Sequence, residues 1–232
     1  MIDTFDRDVY VIDLFRVVGG NQHDKFFHSH LGEITTQGLD LAPASDYGYN
    51  TQMRNFRVDP TPSPGWSIDW KIYDRLGLLP PDADMHLRYT DLTAGVQAFT
   101  TEGWVSLSTG SDDEAWNPRL MIRRQSSDAP LASTFITVMT PYQGELKVAG
   151  IRRLRLETEA NVAIEIQFID GRKNLFFALD VENPLSLPPS QVTAPIAIQQ
   201  EWGMHLNGEL CWIRQSRDGT VERALQRQAT QR

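Results

Sequence analysis

The chain has 232 residues, of which 41% are apolar and 22% charged, with a formal net charge of −8; that is length and apolar content enough for a sizeable core. The acidic balance leaves no excess basic field to neutralise phosphates, which argues against general nucleic-acid binding. A single cysteine, Cys211, excludes an intrachain disulfide framework, and no apolar run reaches the length of a membrane-spanning helix, so neither nucleic acid nor membrane is an expected partner.

The N-terminus, MIDTFDRDVYV, has neither the basic nor the apolar region of an export signal, and no signal peptide is expected. Val9 to Val18 carries only two charges, Asp13 and Arg16. Its β-branched and aromatic content, closed by Gly19-Gly20, reads as a strand buried on both faces. Beyond the glycines come His23, Asp24 and Lys25, then Phe26-Phe27-His28-Ser29-His30. Alternate side chains of an extended strand share a face, which groups Phe26, His28 and His30. Three of the five histidines thus lie within eight residues, beside a carboxylate.

Ala42 to Asn50 is loop material, and Gln52 to Val58 reads as a strand. Asp59 to Gly65 (DPTPSPG) is a proline-rich connection that excludes ladder pairing. Trp66 to Tyr73 alternates cleanly, with Trp66, Ile68, Trp70 and Ile72 on one face, and predicts a half-buried strand. Further strands are expected at Asp84 to Tyr89, Gly95 to Thr100, Glu102 to Ser108, Arg119 to Arg124, Ala132 to Thr140 and Gly144 to Leu156. Asn161 to Phe168 is amphipathic, Val162, Ile164, Ile166 and Phe168 facing inward against Glu165 and Gln167. Asp170-Gly171 signals a hairpin back to Lys173 to Val181. Four prolines in Asn183 to Pro195 mark a boundary, after which Ile196 to Leu206, Glu209 to Gln215 and Thr220 to Leu225 read as a meander. No helical periodicity persists. The pattern predicts an all-β chain: an antiparallel β-sandwich over residues 1–182, then a proline-rich connection and C-terminal β-meander over residues 183–232. Cys211, between Leu210 and Trp212, is expected to be a core residue.

Several side chains suit carbohydrate or metal chemistry. Two histidines at i, i+2 on a strand can hold one ion with His23 or Asp24, can face a sugar, or can tie the glycine turn to a neighbouring strand. Tyr47 and Tyr49 lie in a loop with Arg54, where an exposed stacking role is credible, whereas Trp66 and Trp70 read as core. Arg54 and Arg57, with Arg119, Arg123 and Arg124, are candidates to pair carboxylates through the guanidinium fork.

The phrase YVIDLFRVVGGNQHDKFFHSHLG, with Ala44 to Arg57, Leu87 to Leu92, Arg119 to Arg124 and Val148 to Leu156, resembles the heparinase II/III-like polysaccharide lyases, including the oligo-alginate lyase branch. Their β-rich half carries a "VDxFRVxGGxxHDYxxH" phrase; here Lys25 stands where that phrase has tyrosine. The resemblance covers most of residues 8–182. It implies a super-sandwich-like β-domain from an enzyme that cleaves uronate-containing polysaccharide by β-elimination, with an α/α toroid as partner domain or polypeptide. Family zinc ligands lie in "HGHxD" and "VDPGTY"-like phrases, and neither phrase occurs in these 232 residues, so no cofactor is expected on this chain and zinc belongs to the full-length enzymes. The resemblance further implies a periplasmic or secreted full-length protein. Elimination requires carboxylate neutralisation, a base and an acid. His23 is the catalytic candidate, and Asp24, Lys25, His28, His30, Tyr47, Tyr49 and Arg54 are the substrate-binding candidates for an acidic polysaccharide. Non-catalytic carbohydrate binding and a purely structural role are the alternatives.

Overall fold

The computed structural model describes residues 9–48, 50–75, 77–106, 114–156, 160–180, 202 and 210–227. The chain is all-β, and the described residues form three antiparallel five-stranded sheets, none of them closed into a barrel. It divides into two compact units, Met1–Leu146 and Lys147–Arg232. The boundary expected at residue 183 lies outside the described residues.

The first unit holds two of the sheets. Sheet 1 orders β1 (Val11–Val18), β10 (Ala132–Gln143), β7 (Met85–Asp91), β6 (Ser67–Ile72) and β3 (Gly32–Gln37). Sheet 2 orders β2 (Gln22–Phe27), β9 (Glu114–Gln125), β8 (Gln97–Ser106), β5 (Met53–Asp59) and β4 (Ala42–Pro43). Their facing sides share one core: Trp66, Ile68, Trp70, Tyr89 and Phe135 from sheet 1 or its approach meet Ala98, Leu120 and Ile122 from sheet 2. Phe27 of β2 lies edge-on to Trp70 with ring centroids 5.6 Å apart. Trp66, Ile68 and Trp70 thus face the core as expected, but Ser67 and Asp69 on the other face are buried as well, so the strand is not half-buried there; this unit is a sandwich.

The chain crosses between sheets at Gly19-Gly20, where φ is +137° and +52°, values at which a side chain is strained. Gly19 N–H donates to Leu131 O and Leu131 N–H to Gly20 O, each at 2.9 Å, so this corner is locked to the one between β9 and β10. β1 then pairs with β10 while β2 pairs with β9. The expectation that β1 is buried on both faces fails: it closes one edge of sheet 1, and Phe15 is 48% exposed. Its apolar run records a core-facing strand, but composition carries nothing about lateral position in a sheet.

The sandwich interior also holds charge. Lys25 Nζ donates to Asp13 Oδ2 at 2.6 Å and to Thr137 Oγ1 at 3.3 Å. The Thr137 hydroxyl donates to Tyr89 at 2.8 Å, and the Tyr89 hydroxyl donates to Asp91 Oδ2 at 3.3 Å. Asp91 Oδ1 accepts the Thr93 N–H at 2.8 Å. Burial pushes the Asp91 carboxyl up to about 6, against the opposing pull of the Thr93 bonds and the Lys25 charge.

The second unit is a sheet of five consecutive antiparallel strands: β11 (Val148–Leu154), β12 (Val162–Phe168), β13 (Lys173–Ala178), β14 (Leu210–Gln215) and β15 (Val221–Arg227). The hairpin at Asp170-Gly171 is present, β14 and β15 are the expected strands Glu209 to Gln215 and Thr220 to Leu225, and Cys211 is buried among Leu175, Phe177 and Ile213. The strand expected at Ile196 to Leu206 lies outside the described residues, Trp202 excepted. The polar face expected for Glu165 is corrected: its side chain is fully buried. Arg152 explains this by donating to both carboxylate oxygens, at 2.7 and 3.1 Å, and these bonds outweigh desolvation to hold the carboxyl below its ordinary value.

Asp91 sets a pH signature. Its pKa rises from 3.8 to about 6 on folding, so in that window the native protein keeps a proton that the unfolded chain releases. The contribution is fullest below about pH 4 and falls as pH rises through 6, by up to about 3 kcal/mol. Thermal unfolding of wild type and Asp91→Asn across this window is expected to show the wild type losing stability relative to the variant as pH rises, with parallel curves contradicting the assignment.

Candidate functional site

Strand β2 places the sequence's chemical groups on two opposite faces. His23, Lys25 and Phe27 point into the sandwich, while Gln22, Asp24 and Phe26 point outward from sheet 2. His23 Nε2 lies 2.7 Å from Gly19 O, and Nδ1 lies 2.8 Å from Ser133 Oγ. A carbonyl only accepts, so Nε2 carries the proton, and Nδ1 of the neutral ring accepts from the Ser133 hydroxyl. Both nitrogens of the catalytic candidate thus tie the glycine corner to β10. Lys25 is likewise an interior cation, its side chain 11% exposed.

His28 and His30 do not share a strand face with Phe26, because β2 ends at Phe27. Both are exposed in the following segment, and His28 Nδ1 donates to Ser29 O at 3.0 Å. The aromatic pair Phe26-Phe27 completes the last pairing with β9, so the histidines fall beyond the ladder. Tyr49 lies outside the described residues. Arg54 donates to Glu102 at 2.8 Å and lies 4.0 Å over the Trp116 ring. Its neighbour Met53 pairs with Gly103, six residues along β8 from Gln97, or about 20 Å at strand rise. Arg54 is therefore remote from Asp24.

Two candidates do meet. Asp24 accepts Arg123 Nε at 2.7 Å and Nη2 at 3.1 Å, a bidentate pair, and accepts the Gln22 amide at 2.8 Å. Tyr47, carried in over sheet 2 by the loop after β4, also bonds Asp24. Its ring lies 5.3 Å from the Arg123 guanidinium and 5.6 Å, edge-on, from Phe26. Burial raises the Asp24 carboxyl, but the Arg123, Gln22 and Tyr47 bonds outweigh it and hold the group below its ordinary value. The same Asp24 contact raises the Tyr47 hydroxyl, which stays a neutral donor. Beneath Tyr47 sits a small apolar cluster of Phe56, Phe99 and Met121.

Beside this cluster opens a groove of ≈ 450 Å³ lined by Pro60, Thr61, Pro62, Gly95, Val96, Gln97, Arg123 and Gln125, within the ~300–1,000 Å³ usual for small-ligand sites. Its floor is the outward face of β8 and β9, where Gln97 pairs with Arg123. Its wall is the proline-rich connection. The buried Asp59 carboxylate pins that wall, accepting Thr61 N–H at 3.0 Å on one oxygen and Asp40 N–H at 2.8 Å on the other. Arg123 was legible as a carboxylate-pairing candidate. Gln22, Gln97 and Gln125 were not: period-two alternation shows which β9 residues face outward, but not that β2 lies beside them.

A second polar cluster also went unread. His86 Nδ1 lies 2.6 Å from Asp69 Oδ1 and its Nε2 lies 3.2 Å from Asp84 Oδ1, while Tyr142 and Arg88 donate to Asp69 Oδ2 at 2.6 and 3.1 Å. Burial, then the Asp69 contact, push the Tyr142 hydroxyl up to about 12. These bonds cross-link β6, β7 and β10 and satisfy the buried Asp69 carboxylate. Among the described residues no three His, Cys, Asp or Glu side chains converge as metal ligands, so they offer no donor set for zinc. Comparison of the chain with protein-family models and with curated proteins finds no match.

The placement of His23 makes a distinction measurable. His23→Ala strands the Gly19 carbonyl and the Ser133 hydroxyl, and is expected to lower stability in urea by about 1–3 kcal/mol. Oligosaccharide affinity, measured by calorimetry under native conditions, should stay unchanged. A stable variant with lost affinity would place His23 in the binding site instead.

Proposed function

We propose that this chain is the β-sandwich part of a heparinase II/III-like polysaccharide lyase and that it holds uronate-containing polysaccharide on the outer face of sheet 2. The groove and its flank carry the reading: Arg123, Gln97 and Gln125 line an open surface of a size that suits an oligosaccharide, and Asp24 and the Tyr47 ring adjoin it through Arg123. The amides suit hydroxyl groups, and the Tyr47 ring suits the C–H face of a sugar. β-Elimination further needs a base and an acid near the C5 proton and the leaving oxygen. Among the described residues lining the groove there is no histidine and no tyrosine, and His23 lies on the other side of the sheet. The elimination groups therefore come from an α/α toroid, in the same or a separate polypeptide, in a periplasmic or secreted enzyme.

A second reading, a non-catalytic carbohydrate-binding module, rests on the same groove and on the engagement of both His23 nitrogens within the fold. The two readings part over the partner. Titration of the chain with acidic oligosaccharides is expected to give saturable binding, weakened about tenfold by Tyr47→Ala, and no ultraviolet-absorbing unsaturated product. Product formation by the chain alone would overturn the division of labour, and absence of any oligosaccharide binding would overturn both readings.

A further inference from the structure

The groove's charge is already cancelled from within. Among the described residues of its lining Arg123 is the only charged side chain, and its Nε and Nη2 are held by the two oxygens of Asp24. A carboxylate entering the groove would have to displace Asp24 from Arg123, or lie beside it at the same guanidinium. The first loses a preformed bidentate pair, and the second sets two anions within a few ångströms. Asp24 is therefore an internal competitor for the ligand chemistry that Arg123 would otherwise attract.

What the groove leaves open is amide chemistry. The Gln125 amide donates to Gln22 Oε1 at 2.6 Å, and the Gln22 amide donates to Asp24 Oδ2 at 2.8 Å. This chain of bonds fixes the orientation of both glutamines and turns Gln125 Oε1 away as a free acceptor. Among the described residues the Gln97 amide has no hydrogen-bond partner, and it lies on the strand next to Arg123. Amides that both donate and accept match hydroxyl and acetamido groups and give a carboxylate no net charge to bind.

We propose that this groove takes the uncharged sugar of an alternating polysaccharide, its hydroxyl or acetamido groups bonded to Gln97 and Gln125, while the neighbouring uronate lies outside. The inference rests on the carbohydrate-holding reading above and narrows it. It favours a copolymer of uronate and amino sugar over a polymer built only of uronate, and it makes Asp24 a specificity-determining residue.

Three probes decide it by calorimetric titration at low and at high salt: the trisaccharide of N-acetylglucosamine, a tetrasaccharide alternating glucuronate with N-acetylglucosamine, and trimannuronate. The first two are expected to bind about tenfold more tightly than trimannuronate, with affinities that barely change with salt. Gln97→Ala, whose side chain supports no other described residue, should weaken both by about fivefold or more. Asp24→Asn keeps an acceptor for Arg123 but removes the competing charge, so it should strengthen trimannuronate binding and make it salt-sensitive. Tight, salt-sensitive trimannuronate binding by the wild type, or Gln97→Ala without effect on the neutral probe, overturns the inference while leaving the carbohydrate reading in place. If no probe binds, both fall.

Discussion

Neighbouring residues on a strand point to opposite faces, and in β2 that rule decides what the molecule can do. His23 and Asp24 adjoin in sequence yet cannot share a site: His23 goes inward to Ser133 and Gly19, Asp24 outward to Arg123. Lys25 follows His23 inside and Phe26 follows Asp24 outside. The densest chemical cluster in the sequence is thereby divided into a structural half and an accessible half by the backbone pleat alone.

The inner half shows how a sandwich accommodates charge. Lys25 is shared between Asp13 near the rim and, through Thr137 and Tyr89, the fully buried Asp91. One cation facing two carboxylates leaves Asp91 short of stabilisation, and burial pushes its carboxyl up to about 6, a weaker acid than usual. In the second unit Arg152 meets Glu165 with both oxygens satisfied, and there the carboxyl is held below its ordinary value instead. At Asp91 desolvation outweighs the bonds from Thr93 and Tyr89, whereas at Glu165 the bonds from Arg152 and Gln167 outweigh desolvation, and the shifts are opposite.

Much of the fold was legible in the sequence. Alternation over Trp66 to Ile72, the glycine corner and the hairpin at Asp170-Gly171 identify strands and turns from local rules alone. Lateral position was not legible: β1 reads as buried on both faces but closes an edge with Phe15 exposed, because a strand's composition records its facing side and not its number of neighbours. The end of β2 was misjudged by the same limit, since pairing with β9 stops at Phe27 and carries His28 and His30 out of the ladder. The candidate site was half legible. Asp24, Tyr47 and Arg123 were singled out for separate reasons, and their meeting depends on a pairing between segments 99 residues apart. Gln97 and Gln125 carry no motif at all; only the wall formed by Pro60 to Pro62 makes their strand face a groove.

Site-resolved amide chemical shifts during titration with an alternating uronate and N-acetylglucosamine oligosaccharide would test most directly whether the outward face of sheet 2 is where this protein meets its ligand. The account predicts saturable perturbations at Asp24, Tyr47, Gln97, Arg123 and Gln125, with His23 and the Asp69–His86 cluster silent. Perturbations centred on His23 or His86, with the groove residues unmoved, would contradict it.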